Sequence, residues 1–155
     1  MAAKAAWAAA LALLAASAAT MPAATAGPSE EVRAVYARFL EAQNARDLAR
    51  VKTALLDSPR FLWVSDGRSV WGPDALVERM ALFQKAPVWH VDPDLARAVA
   101  VPVDDRAAFL HLPLVLTIGP EGMPDRLRFL VSVLAVQTER GWRIAALFTT
   151  EAKTP

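Results

Sequence analysis

Residues 106–151 read RAAFLHLPLVLTIGPEGMPDRLRFLVSVLAVQTERGWRIAALFTTE, three runs in which apolar side chains recur at every second position. Gly119-Pro120-Glu121-Gly122 and Thr138-Glu139-Arg140-Gly141 separate the runs. Successive side chains of a strand point to opposite faces, so the pattern predicts three long antiparallel strands, each with one apolar side. With Glu139-Arg140 as a hairpin tip, Gln137 stands opposite Trp142. Leu127, Phe129, Val131 and Val133 then share a face with Trp142, Ile144, Ala146 and Phe148. Centring the other turn on Glu121-Gly122 adds Leu110, Leu112, Leu114 and Leu116 to that face. The same count sends His111, Arg128, Ser132, Arg143, Thr149 and Glu151 to the reverse. A face this apolar needs a cover.

The cover is predicted upstream. Val32, Val35, Tyr36, Phe39 and Leu40 follow helical spacing after Ser29-Glu30-Glu31, which offers a cap and two acids at the positive end of a helix. Asp47 can cap a second, short helix through Leu48, Val51 and Leu55 that stops at Asp57-Ser58-Pro59. Arg60 to Ser65 reads as a strand, Asp66-Gly67 as a tight turn, and Val70-Trp71 as its return. Gly72-Pro73-Asp74 opens a third helix with Leu76, Val77, Met80 and Phe83 as its buried stripe. From Val88 the chain enters a meander in which Pro93, Pro102 and Pro113 mark bulges or edges. The expected fold class is α+β, three N-terminal helices on a strongly curved antiparallel sheet of five to six strands.

The first 26 residues are of another kind. Lys4 is their only charge, Ala5 to Ala16 is an unbroken apolar run, and Ala24-Thr25-Ala26 precedes Gly27. This pattern predicts a secretory signal peptide over 1–26 and one domain over 27–155, hence an exported, periplasmic or extracellular protein. An uncleaved anchor is the competing reading, but the run is short for a bilayer about 30 Å thick. Setting Lys4 aside, the basic residues equal the 16 acidic ones, and no basic run occurs, which argues against nucleic acid or a membrane surface as partner. Without cysteine there is no disulfide framework, thiol nucleophile or thiolate metal site.

The order helix, helix, hairpin, helix, long meander resembles the nuclear transport factor 2-like superfamily, and more closely its SnoaL-like branch of exported bacterial proteins. The resemblance rests on Asn44-Ala45-Arg46-Asp47-Leu48, on Val64-Ser65-Asp66-Gly67-Arg68 with Trp71-Gly72-Pro73-Asp74-Ala75, and on Gly141-Trp142-Arg143-Ile144. It implies a cone between helices and sheet, and functions ranging from isomerase, cyclase and dehydratase to non-catalytic dimerisation domain. Where members similar to ketosteroid isomerase place an oxyanion tyrosine, this chain has Phe39, and where they place the aspartate base, Trp63. Where SnoaL-like members often carry a histidine and a serine after the terminal tryptophan, it has Phe148 and Thr150.

The candidate ligand-binding residues are Tyr36, Phe39, Trp63, Trp71, Trp89, Arg97, Phe129, Trp142 and Phe148, aromatic groups that can line an apolar pocket and one arginine. Pairing about Asp104-Asp105 turns Arg97 inward opposite Leu112, unless a bulge near Pro93 returns it to solvent. The same pairing puts His90, Asp92 and His111 on the outer face, with His111 across from Ala98, so neither a metal site nor any other cofactor is expected. The leading expectation is an exported protein that binds a small, mostly apolar molecule, paired as a homodimer through the outer sheet face. The alternatives are a lyase, isomerase or cyclase using Asp66, His90 or Tyr36 as acid or base, and a dimerisation scaffold with a filled interior.

Overall fold

The structure, a computed structural model, describes residues 26–153, so the expected leader falls outside it apart from Ala26. Among the described residues, three α-helices form where apolar residues recur at helical spacing: α1 (Pro28–Asn44), α2 (Leu48–Ala54) and α3 (Pro73–Phe83). Gly27, not Ser29, is the cap of α1, with Pro28 in its first turn. Proline suits that place because the missing N–H has no partner there anyway. Asp47 caps α2 as expected, accepting from the Arg50 N–H at 2.9 Å. Among the described residues, no helix is long and apolar enough to cross a membrane.

Seven strands among the described residues make one sheet: β1 (Leu62–Ser65), β2 (Arg68–Trp71), β3 (Val88–Pro93), β4 (Val99–Asp104), β5 (Ala107–Gly119), β6 (Asp125–Thr138) and β7 (Gly141–Glu151). Their order is β2-β1-β7-β6-β5-β3, with β4 also paired to β5. Asp66 and Gly67 both have positive φ, 53° and 66°, the geometry of the tight β1–β2 turn. β3 covers Leu114 to Gly119 of β5 and β4 covers Ala107 to His111, so the two share one strand position and the sheet is six strands wide. β1 runs parallel to β7, the one parallel pair among the described strands.

The inner face forms as the turn spacing predicts through β5 and β6, with Leu110 opposite Val133, Leu112 opposite Val131, Leu114 opposite Phe129 and Leu116 opposite Leu127. In β7 the assignment holds only at its start. Trp142 pairs with Gln137 and Ile144 with Ala135, but Ala146 then pairs with Leu134, leaving Ala145 as an extra residue. A one-residue bulge flips every later side chain to the other face. Ala146 and Phe148 therefore lie outside, contrary to expectation, while Leu147, Thr149 and Glu151 turn inward.

The Asn44-Ala45-Arg46-Asp47 connection is a fastening. Asn44 mimics a strand partner, donating from Nδ2 to the Val91 carbonyl at 2.9 Å and accepting from the Val91 N–H at 2.7 Å. Arg46, in the left-handed region at φ 54°, donates to the carbonyls of Gln84, Ala86 (3.0 Å) and Pro87 (2.8 Å), thereby satisfying groups left open where α3 ends. These contacts fix β3 and the end of α3 relative to α1, setting one wall of the space between helices and sheet.

Candidate functional site

The inner face is covered unevenly. Val32, Val35 and Phe39 of α1 belong to the same buried core as Leu110, Leu112, Val133 and Ile144, whereas Leu116, Ile118 and Phe129 are only partly covered. Over that second half of the sheet lies a cavity of about 1010 Å³. Its floor is Leu114, Leu116, Phe129 and Val131, and its walls come from Tyr36, Phe39, Trp63, Arg79, Met80, Phe83, Trp89 and Thr149.

Of the expected ligand-binding residues, Tyr36, Phe39, Trp63, Trp89 and Phe129 meet in this cavity. Four do not. Trp71 stands on the edge strand β2 and is 58% exposed. Trp142 is core at the far end of β7, and the bulge at Ala145 carries Phe148 outside. Arg97 fails because the strand breaks before it. Asp94 accepts from the Arg97 N–H at 3.2 Å, closing a 3₁₀ turn over Leu95–Arg97. The guanidinium then faces solvent, 3.8 Å from the Asp94 carboxylate. The same turn brings Val99, rather than Ala98, opposite His111.

The catalytic candidates fare unequally. Asp66 occupies the β1–β2 turn at the rim of the cavity with its carboxylate 82% exposed. His90 is exposed opposite Thr117, on the outer side of the strand whose Trp89 and Val91 face the cavity. His111 is also outside, 2.9 Å from the Ser132 hydroxyl. No metal-binding cluster occurs among the described residues. Tyr36 alone is both buried and in the wall, its ring 6.0 Å from that of Phe39. Burial pushes its hydroxyl well above the ordinary value of 10.0, so at neutral pH it can donate a hydrogen bond but cannot serve as a base.

The polar residues that border the cavity include two inward-turned ones that were not among the candidates, Thr149 and Arg79. Thr149, turned inward by the bulge, accepts from the Trp63 indole at 3.4 Å. Arg79 projects from α3 with its guanidinium carbon 5.6 Å from the Trp63 ring centre and 5.1 Å from that of Phe83, within cation–π range of both. Leu76, Arg79, Met80 and Phe83 stand at i, i+3, i+4 and i+7, so the helical stripe contained an arginine. That was the signal for an inward cation. An alternation-based register, by contrast, pointed to Arg97.

Residues 32–147 match the SnoaL-like domain. The chain belongs to that family. Its fold is also that of solved structures: a nuclear transport factor 2-like superfamily protein from Salmonella enterica has TM-score 0.72 at 19% identity, covering 82% of this chain and 93% of that one. A protein with a cystatin-like fold from Caulobacter vibrioides has TM-score 0.70 at 20% identity, with 81% and 90% covered. A dehydratase candidate of the same superfamily from Streptomyces avermitilis has TM-score 0.71 at 15% identity, with 82% and 98% covered. No curated protein sequence matches significantly. These likenesses establish this SnoaL-like domain's fold and family, and at such identities the chemistry must be read from its own residues.

Proposed function

We propose that this SnoaL-like domain binds a small, mostly apolar molecule in the cone between its helices and sheet. One observation carries the reading: a cavity of about 1010 Å³, within the size of small-molecule sites, roofed by aromatic rings over the uncovered half of an apolar sheet face. A filled interior would have favoured a scaffold. Proton-transfer chemistry needs a donor and an acceptor on one substrate. The wall offers Tyr36 as donor, but Asp66 sits at the rim in a turn and His90 faces away.

An enzymatic reading with Tyr36 as hydrogen-bond donor is the alternative, supported by its neutral, buried hydroxyl and by the likeness to the Streptomyces dehydratase candidate. Native mass spectrometry of the protein purified from its own host tests the main reading. A co-purifying compound of small mass, lost from a variant with the cavity blocked by Leu116→Trp, is expected. A wild-type protein that arrives bare, and whose tryptophan emission no apolar probe alters, would sink it.

The proposal extends to location and assembly. The apolar leader ending Ala24-Thr25-Ala26 supports export across a bacterial inner membrane. On the outer sheet face, Val101, Phe109, Leu134 and Ala146 form one row across four strands, with Val101 52% and Phe109 41% exposed. Such a row suits an isologous homodimer. Sedimentation should show a dimer that Phe109→Glu dissociates, and a wild-type monomer at micromolar concentration would end the dimer reading.

A further inference from the structure

The Nε of Arg79 and the indole Nε1 of Trp89 are each shut off from solvent with no hydrogen-bond partner among the described residues. Both residues line the same cavity. Elsewhere among the described residues, buried side-chain donors are matched, as where the Gln84 amide donates to the Gln43 carbonyl at 3.1 Å. Unpaired buried donors are unfavourable, and an acceptor bound in the cavity could relieve either one once its side chain turns toward the open space. Neither group can accept a hydrogen bond, and arginine stays charged at any ordinary pH.

The guanidinium is held between the rings of Trp63 and Phe83, and its ion pair to the exposed Asp66 carboxylate is long, at 3.9 Å. That partner is solvated and screened, and it leaves the Nε side unused. Of the charged residues that border the cavity, Arg126 and Arg128 alternate onto the outer face of β6, Asp66 lies in the exposed turn and Glu151 is exposed near the end of β7, so Arg79 is the cation that stands in the wall. A neutral hydrocarbon would leave both donors unpaired, and an amine would meet a like charge. An oxyanion satisfies the site.

Building on the binding role proposed above, we infer that the ligand is an organic anion. Its apolar body lies along Leu114, Leu116 and Phe129, and a carboxylate-type group accepts from the Arg79 guanidinium. A charge-assisted bond at a shielded arginine discriminates strongly between an acid and its neutral analogue.

The test uses two fluorescent dyes of one skeleton, anilinonaphthalenesulfonate, which carries an oxyanion, and phenylnaphthylamine, which does not. The full chain should bind the anionic dye about ten-fold more tightly. Arg79→Met, which keeps the apolar stem, should abolish that preference by weakening the anionic dye far more than the neutral one. Asp66→Asn removes the competing carboxylate and should tighten only the anionic dye, an arm that stands even if Arg79→Met fails to fold. Decanoate should displace the bound anion where decanol does not. Equal affinity for the two dyes, or a preference that survives Arg79→Met, overturns the anion assignment and leaves the cone reading intact. Failure of both dyes to bind overturns both.

Discussion

The two halves of the inner sheet face carry the same alternation of apolar residues and meet different fates. Around Leu110, Leu112, Val133 and Ile144, helix α1 lies directly on the sheet, and these side chains are at most 2% exposed. Four residues along the same strands, Leu116 and Phe129 are partly open and Leu127 is 43% exposed. Hydrophobic alternation says which way a side chain points, and the length and position of the covering helix decide what it meets. Because α1 ends at Asn44 and α3 approaches with an arginine in its stripe, the second half becomes the floor of a cavity instead of core.

That contrast can be broken by substitution. Trp142→Ala, in the packed half, should lower stability by about 3–5 kcal/mol, the usual loss for a buried tryptophan. Near-zero loss in denaturant melts would remove it from the core. Leu112→Ala should cost about 3 kcal/mol and Leu116→Ala about 1 kcal/mol, since the second leucine already borders a cavity. Equal losses would mean that the two halves are packed alike.

Asn44→Ala should cost about 2 kcal/mol through two lost bonds to Val91, and it should also weaken ligand binding if β3 is a true wall of the cavity. The smallest effect is spectroscopic. Tyr36 is the sole tyrosine, so phenolate absorbance during an alkaline titration reports on it alone. In the folded protein it should titrate well above 10.0, and in denaturant at its ordinary value. Its folded pKa is raised, so its contribution to stability is present in full below the unfolded value and declines as pH rises beyond it. Titration near 10.0 in the folded state would put the ring in water and move the dry part of the cone elsewhere.

Much of this was legible from residue order. The helices over Val32 to Leu40 and Leu76 to Phe83, the Asp47 cap, the Asp66-Gly67 turn and the register of β5 against β6 follow from local rules, because periodicity and turn chemistry act over a few residues. The Asn44 to Asp47 stretch could be recognised as a family feature, yet its purpose emerged only when Val91 and the residues from Gln84 to Pro87, distant in sequence, came into reach. The site was harder to read. The bulge at Ala145 has no proline or glycine to announce it, and it exchanges Phe148 for Thr149 in the cavity. The short turn after Pro93 likewise displaces Arg97.

What the sequence determined by itself is the three helices, the long strands and the apolar face shared by β5 and β6, since each is written in short-range periodicity and turn chemistry. Tertiary structure alone decided that one stretch of the face is sealed and the next left hollow, and that Arg79, not Arg97, stands in the hollow. The physical reason is that burial and hydrogen-bond satisfaction depend on which distant segment arrives opposite a residue. A single extra residue in β7 is enough to change the answer.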